Sequence, residues 1–171
     1  GRVHVPLGKH GADALMFVHR EGDIRTIFVD HPAFFHRDHL YGPESGDYPD
    51  SPARFAFLSR AALEWAATSP GGYDVIHVHD WQSALVPVFL NQGVAPALRR
   101  VPVIFTIHNL AYQGMADPSW LTELGLRSDL MHPNALEFWG RMSLLKGGLV
   151  FSQLITTVSP RYAIEIQTPE Y

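Results

Sequence analysis

With 171 residues the chain is long enough for one domain, because domains usually contain about 100–200 residues, and its 46% of hydrophobic residues can fill a sizeable core. A formal net charge of −4 excludes the basic excess that a broad nucleic-acid or anionic-membrane surface needs. The absence of cysteine excludes a disulfide framework and cysteine metal sites.

No apolar run approaches the roughly 20 residues that a membrane span needs. The basic start at Arg2 is not followed by the apolar stretch of a signal peptide, and the sequence has no initiator Met. We therefore expect a cytoplasmic protein, or a stromal one if the source is a plant, and a chain cut from a longer one.

The first predicted element is a β-hairpin. Residues 14–18 and 24–29 are β-rich runs joined by Glu21-Gly22-Asp23. Residues 30–50 follow and are dense in Pro, Gly, His and Asp, which predicts a loop. Such a long loop is uncommon in a compact domain and is often functional.

Ser51-Pro52 then predicts a helix start, with Ser51 as the capping hydroxyl and Pro in the first turn, and residues 69–72 end this helix. Residues 75–78 form a short strand. Asp80 is placed to cap a helix from Trp81 to about residue 91, which Gly93 ends.

Residues 101–107 are almost continuously apolar, which predicts a strand buried on both faces of a parallel sheet. Residues 108–134 are predicted to be irregular, and residues 135–150 to form a long helix. A last strand covers residues 154–158, and Ser159-Pro160 begins a final helix.

This order of strands and helices predicts an α/β fold with a parallel, Rossmann-like sheet. Ligands of such sheets bind at the carboxyl ends of the strands. Three polar clusters stand there, at residues 79–81, 108–109 and 159–160. We therefore predict that Asp80, His108 and Asn109 lie together at one edge of the sheet.

Each cluster also has a simpler interpretation. His77 and His79 share a strand face and could chelate a metal, but no third ligand has suitable spacing, so we expect no metal site. Asp80 could serve only as a helix cap, or could contact a sugar hydroxyl as well. The aromatic ring of Tyr112 and the amides of Asn109 and Gln113 suit a neutral, hydroxylated ligand.

The tract Lys146-Gly147-Gly148-Leu149 invites interpretation as a phosphate loop. A phosphate loop lies between a strand and a helix N-terminus, whereas this tract is predicted to end an amphipathic helix, so we reject that interpretation. Phe138 and Trp139, which precede it, are expected to pack rather than to bind a ligand.

The same residues carry a family resemblance. Residues 74–82 resemble the H-x-H-D-W segment of bacterial glycogen synthases and plant starch synthases, and residues 105–114 resemble their T-[IV]-H-N-L-A-Y-Q-G signature. Residues 137–148 and 157–166 match two later blocks of the family. Tyr41-Gly42 and residues 47–50 fit its acceptor-side loop, so the resemblance covers nearly the whole chain.

The resemblance implies a GT-B fold, in which two Rossmann-like domains face each other across a cleft. It implies transfer of glucose from ADP-glucose to the non-reducing 4-hydroxyl of an α-1,4-glucan such as glycogen or a maltooligosaccharide, with retention of configuration. It implies no cofactor and no metal. The expected partners are the glucan and ADP-glucose, not nucleic acid or a membrane; the residues leave the choice between ADP and UDP open.

The resemblance also assigns roles to single residues. It implies catalytic roles for Asp80, His108 and Asn109: His108 would bind the transferred glucose near its 6-hydroxyl, and Asn109 would orient the turn or touch a sugar hydroxyl. It implies substrate contacts for five further residues: Tyr41, His79, Trp81, Tyr112 and Gln113. Tyr48 is an alternative to Tyr41.

The chain also departs from the family pattern, because the K-x-G-G-L loop that follows the first strand and the entire second domain are absent from it. We therefore expect residues 1–171 to be a partial N-terminal, acceptor-side domain that is inactive alone. A stand-alone, non-catalytic α-glucan-binding module is the alternative. A related sucrose or trehalose-type transferase is a weaker alternative, because the A-Y-Q-G run of residues 111–114 counts against it.

Overall fold

The structure, a computed structural model, describes residues 1–170 of the chain. Its first unit is an antiparallel sheet of β1 (Arg2–Val5), β2 (Ala12–Glu21) and β3 (Ile24–Asp30), with β2 in the centre. The predicted hairpin is confirmed, with Gly22 at φ +59° in its turn. Strand β1, which is only four residues long and pairs with β2, was not predicted.

The predicted loop of residues 30–50 contains one short helix, α1 (Pro32–Phe35), and is otherwise irregular. The helix α2 (Ser51–Ala67) follows it as predicted, but Ser51 is not its cap. Asp50 occupies the cap position without a side-chain cap bond, and one of its carboxylate oxygens pairs with Arg37 at 2.6 Å. Ser51 lies inside the helix and is buried.

The predicted parallel sheet is confirmed, and it consists of β4 (Ile76–His79), β5 (Val103–Ile107) and β9 (Leu154–Thr157), with β5 in the centre. Two helices, α3 (Asp80–Ser83) and α4 (Leu85–Asn91), connect β4 to β5. The central strand is buried, as its apolar composition predicts. The carboxyl ends of β4 and β5 therefore lie side by side.

The prediction of one long helix over residues 135–150 is wrong. Residues 137–143 form a hairpin of β7 (Glu137–Phe138) and β8 (Arg141–Ser143), and β8 also pairs with β6 (Met115–Ala116). Trp139 at φ +52° and Gly140 at φ +75° form the tight turn, a backbone conformation that ends any helix. Trp139 is 87% exposed, so the expectation that it packs is also wrong.

Helix α6 (Leu144–Phe151) begins only after this hairpin, capped by the Ser143 hydroxyl, which accepts from the Lys146 amide at 3.1 Å. The Lys146-Gly147-Gly148 tract thus lies in the first turns of a helix and not at its end, contrary to the sequence prediction. The Lys146 ammonium donates to the Glu137 carbonyl, and both glycines are buried. The glycines serve close packing of α6.

Two further helices complete the fold. They are α5 (Trp120–Glu123), within the stretch predicted to be irregular, and α7 (Pro160–Glu165). The Ser159 hydroxyl caps α7 by accepting from the Tyr162 amide at 3.1 Å, as the Ser-Pro pair predicts. No helix within residues 1–170 is long and apolar enough to cross a bilayer.

Candidate functional site

The site forms where β4 and β5 end. His79 pairs with Thr106 across the two strands, so the next polar residues, Asp80 and His108, meet at the same edge. One carboxylate oxygen of Asp80 accepts a hydrogen bond from the His108 amide at 2.7 Å. The structure therefore brings these residues together as the strand order predicts.

The interpretation of Asp80 as a helix cap is wrong, because α3 has no side-chain cap bond. Asp80 adopts φ +54°, in the left-handed region that Asp tolerates better than most residues. This backbone conformation directs its carboxylate across to β5, where it fixes the main chain of His108. Asp80 thus positions the turn that follows the central strand.

The imidazole of His108 is held by a second histidine. His79 Nδ1 lies 3.0 Å from His108 Nε2, so one nitrogen donates and the other accepts. The ring of His77 stacks on His79 with centroids 4.2 Å apart, and His77 Nε2 bonds the Thr106 hydroxyl at 2.6 Å. His79, predicted to contact substrate, is in this structure a support for His108.

The surroundings of His79 favour its neutral form. Burial lowers the pKa of His79, and the neighbouring His77 and His108 lower it further, while Asp80 opposes the shift. A neutral His79 can donate a proton to His108 or accept one from it, so the tautomers of the two rings are coupled.

We predict that the lowered pKa of His79 makes the stability of the fold depend on pH. Because the folded pKa of His79 is lowered, the unfolded chain takes up a proton first as the pH falls below about 6.5, and the free energy of unfolding decreases toward the lowered folded pKa. Urea unfolding of the wild type and of His79→Gln at about pH 7.5 and about pH 5 checks this. The variant should lose less stability on acidification, and an equal loss in both proteins contradicts the prediction.

A metal site is not supported by the arrangement of these side chains. Among residues 1–170, no three His, Asp or Glu side chains are grouped so that they could hold a metal ion. His77 and His79 direct ring nitrogens to Thr106 and His108 instead. That the protein works without a metal stays a prediction.

Asn109 shapes the turn after His108. Its side-chain oxygen accepts from the Ala111 amide at 3.0 Å, and its carbonyl accepts from the Tyr112 amide at 3.3 Å. The turn presents the Tyr112 ring to solvent with 66% exposure. Asn109 therefore has the turn-orienting geometry that was one of its two predicted roles, and Tyr112 is free to meet a ligand.

Trp81 is buried and Gln113 is half-buried beside the strand ends. Trp81 is 7% exposed and packs edge-on against Phe55, with ring centroids 4.7 Å apart. The side-chain nitrogen of Gln113 donates to the Leu110 carbonyl at 2.7 Å, and its side-chain oxygen accepts from the Ser143 hydroxyl at 2.8 Å. Both residues, predicted to contact substrate, are held by the protein itself.

The loop before α2 supplies Tyr41. The Tyr48 amide donates to the Tyr41 carbonyl at 2.8 Å, which closes this loop. The Tyr41 hydroxyl accepts from the side chain of Gln82 at 3.1 Å, directly after the Asp80-Trp81 pair. Tyr41 therefore faces the strand ends. Its partner Gln82 was not predicted from the sequence, although Gln82 directly follows Trp81 in the chain.

Tyr48, the alternative to Tyr41, serves the loop instead. Its ring lies under the guanidinium groups of Arg37 and Arg54, 5.0 and 5.1 Å from the ring centroid. Arg54 is buried and donates to the carbonyls of Phe34 and Leu40 at 2.8 and 3.1 Å, so it ties α2 to the loop. Burial lowers the pKa of Arg54, and nearby Asp50 opposes that shift.

An open cavity of about 500 Å³, within the range typical of ligand sites, lies at these strand ends. Its lining contains aromatic rings, amides and carboxylates but no Lys or Arg: Tyr41, Asp47, Asp80, Trp81, Gln82, Asn109 and Tyr112. A larger groove of about 610 Å³ between β3, α2 and β4 is lined mainly by apolar side chains. The smaller cavity has the convergent polar groups and is the candidate site.

Known proteins match this chain over most of its length. A family model described as "Starch synthase catalytic domain" matches residues 3–171. The chain is 47% identical over 150 residues to "Glycogen synthase 2" of Geobacter metallireducens, which covers 86% of this chain and 31% of that protein. It is 44% identical over 167 residues to "Glycogen synthase" of Aquifex aeolicus, which covers 98% and 35%.

Among solved structures, the chain is similar to the catalytic domain of Starch Synthase IV from Arabidopsis thaliana bound to ADP and acarbose. The TM-score is 0.86 and the identity 34%, over 99% of this chain and 35% of that one. The predicted α/β fold of the GT-B class is thus confirmed. The chain spans about a third of the length of the relatives it matches.

Proposed function

This chain belongs to the starch synthase catalytic domain family, and we propose on that basis that it forms the acceptor-side part of an α-glucan synthase. The reaction is the transfer of glucose from ADP-glucose to the non-reducing 4-hydroxyl of an α-1,4-glucan. The observation that carries the proposal is His108, held through its amide by Asp80 and through its ring by His79 beside an open, polar cavity.

His108 and its neighbours act on the transferred glucose. With Nε2 engaged by His79, the Nδ1 atom of His108 is the ring nitrogen left to bind a sugar hydroxyl. The carbonyl of His108, at the end of the central strand, faces developing positive charge at the anomeric carbon. Groups fixed before the reaction begins lower the barrier without a reorganisation cost, and this fits the two hydrogen bonds that immobilise His108.

The acceptor glucan binds along Tyr41 and Tyr112. Exposed aromatic rings match the apolar faces of sugar rings, and the amides of Gln82 and Asn109 can exchange hydrogen bonds with hydroxyl groups. The similar Arabidopsis domain was bound to ADP and acarbose, which supports placing both a nucleotide and this kind of ligand on the fold.

The donor diphosphate binds outside this chain in our proposal. Diphosphates need cationic or backbone N–H partners, and the cavity within the described residues is lined by the carboxylates of Asp47 and Asp80 and by no Lys or Arg. We also propose that the protein needs no cofactor and no metal. We propose a location in the cytoplasm, or in the plastid stroma if the source is a plant, and neither nucleic acid nor a membrane as a partner.

A stand-alone α-glucan-binding module is the second candidate function. The same absence of cations from the cavity favours it, because aromatic rings and amides are sufficient to bind glucan without transferring glucose. The two functions differ in whether the natural protein that contains these residues transfers glucose or only binds glucan.

Glucosyl transfer by the full-length protein that contains this chain tests the proposal. With maltoheptaose and either ADP-glucose or UDP-glucose, we expect transfer that prefers ADP-glucose and products that an α-1,4-specific amylase degrades. Binding of maltoheptaose without transfer from either donor supports the binding module instead. A product that resists the amylase contradicts an α-1,4-glucan as product.

A further inference from the structure

We propose that Arg54 is a positioning residue for the acceptor: it fixes the loop that carries Tyr41 and so determines how tightly the glucan binds. The inference rests on the proposed function, in which Tyr41 contacts the glucan. Arg54 lies near the start of α2 and is only 3% exposed. It is not among the described residues that line the cavity at the strand ends, so it acts through the loop and not by touching a ligand.

The peptide groups on both sides of Tyr41 are fixed by hydrogen bonds. The carbonyl of Leu40 accepts from Arg54 Nη2 at 3.1 Å, and the carbonyl of Tyr41 accepts from the Tyr48 amide at 2.8 Å. These carbonyls belong to the two planar peptide groups that flank the Tyr41 Cα atom, so together they set the direction of its Cα–Cβ bond. The backbone therefore aims the Tyr41 side chain.

Both of these bonds depend on Arg54. The bond to Leu40 is direct. Tyr48, the donor of the second bond, has its ring centroid 5.1 Å from the guanidinium carbon of Arg54, which is a cation–π contact. The Tyr48 hydroxyl in turn accepts from the His39 amide at 3.3 Å. The guanidinium therefore holds the loop through Leu40 and through Tyr48.

Helix α2 gives this anchor a fixed base that also contacts the strand ends. Phe55, the residue after Arg54, has its ring 4.7 Å from that of Trp81 and 6.1 Å from that of Tyr41, measured between centroids. Gln82, which follows Trp81, donates to the Tyr41 hydroxyl at 3.1 Å. One helix thus contacts both the loop and the site, and the separation between Tyr41 and the strand ends follows from how Arg54 holds the loop on that helix.

A purely stabilising role accounts less well for this geometry. An apolar side chain of similar volume often stabilises a fold as much as a buried ionic group, because desolvation offsets the bonds that the ion makes. What a guanidinium adds is a planar fork that bonds two acceptors at once. Here the acceptors are the carbonyls of Phe34 and Leu40, at 2.8 and 3.1 Å, so the fork fixes both ends of the segment between them.

The loop is also closely packed on itself beside Tyr41. A Cβ atom on Gly42 would lie 2.8 Å from the Asp47 Cα atom and would overlap the carbonyl oxygen of Gly46. A side chain at residue 42 must therefore separate the two halves of the loop that the bond between Tyr48 and Tyr41 joins. Gly42→Ala offers a way to displace Tyr41 without changing α2.

Steady-state kinetics of the full-length protein with ADP-glucose and maltoheptaose test the inference. Arg54→Met removes the guanidinium and keeps a flexible side chain that can fill the space. We expect the KM for maltoheptaose to rise about tenfold, the size expected when one or two hydrogen bonds to the sugar are lost. The kcat at saturating glucan should stay within about threefold of wild type, and the KM for ADP-glucose should not change, because the loss is one of acceptor binding. Arg54→Lys, which keeps the charge but not the fork, should restore only part of the affinity.

Arg60→Met is the matched control on the same helix. Arg60 is also largely buried, pairs with Glu64 at 2.6 Å and lies over the ring of Phe89 at 5.8 Å. This variant should leave both KM values unchanged even if it lowers the melting temperature. Hydrogen exchange measured by mass spectrometry should be faster over residues 36–48 in Arg54→Met and unchanged there in Arg60→Met.

Gly42→Ala keeps the inference testable if thermal melting shows that Arg54→Met does not fold. It should raise the KM for maltoheptaose in the same way, because it displaces the same tyrosine from the other side. Glu44→Ala, at an exposed position of the same loop, is its control and should behave as wild type.

The outcomes separate this inference from the proposed function. If glucose is transferred and the KM for maltoheptaose stays at the wild-type value in Arg54→Met and Gly42→Ala, the inference is wrong and the proposed function stands. A lower melting temperature of Arg54→Met with an unchanged KM makes Arg54 a structural residue only, which also overturns it. If the wild type transfers no glucose, the proposed function fails and the inference is overturned with it.

Discussion

Replacing His108 with alanine in the full-length protein is expected to lower glucosyl turnover by about 10²–10³-fold, the loss typical of removing one pre-organised group that stabilises a transition state. The fold should persist, because Asp80 binds the backbone amide of residue 108 and not its side chain. The change therefore removes the imidazole and leaves the turn. Steady-state turnover with saturating donor and glucan measures the effect.

His19→Ala is the matched control, because His19 is an exposed histidine on β2 outside the site. That variant should keep wild-type turnover. His79→Gln should fall between the two, because it removes the partner of the His108 ring but leaves the ring itself. Wild-type turnover in His108→Ala would show that the histidine has only a structural role.

A single methyl group at Gly148 is expected to destabilise the fold strongly. A Cβ atom there would lie 2.9 Å from Ala84 Cβ and would overlap the ring of Phe105, and both neighbours are fully buried. Overpacking of this kind costs about 1–3 kcal/mol, which exceeds the roughly 1 kcal/mol that alanine gains over glycine inside a helix. Gly148→Ala should therefore lower the free energy of unfolding.

Gly147→Ala is the control on the same helix, with the same gain in helix propensity. Its Cβ would lie 3.0 Å from a methyl of Val88 and 3.1 Å from Leu136 Cγ, aliphatic groups that can shift by a few tenths of an ångström. Urea unfolding of both variants should show Gly147→Ala close to wild type and Gly148→Ala clearly less stable. Equal stabilities would mean that α6 and β5 are not packed as closely as the structure shows.

The parallel sheet and the meeting of Asp80 with His108 could be predicted because they depend on local patterns. The apolar run of residues 101–107 predicts a buried strand, and the rule that ligands bind at strand ends then places the polar residues that follow. Neither inference requires knowledge of distant contacts. The hairpin around Gly22 and the start of α7 at Ser159 were predictable for the same reason.

The errors arose where distant contacts or single backbone angles decide the structure. Residues 137–143 have an apolar pattern that a helix could use, but pairing of β8 with Met115 and Ala116 makes them a hairpin. The left-handed backbone of Asp80 turns a predicted helix cap into a partner of His108. Trp120 and Arg141 line one cavity, although no spacing in the sequence reveals their proximity.

Glucosyl transfer by the isolated chain tests the central claim most directly, namely that residues 1–171 supply the acceptor side and not the donor-phosphate site. With ADP-glucose and glycogen, we predict no transfer by the chain, because a diphosphate leaving group without cationic partners loses several kcal/mol of stabilisation and no Lys or Arg lines the described cavity between Asp80 and Asn109. The full-length protein should transfer glucose under the same conditions. Robust transfer by the isolated chain would contradict the account, because it would place the donor site within these residues.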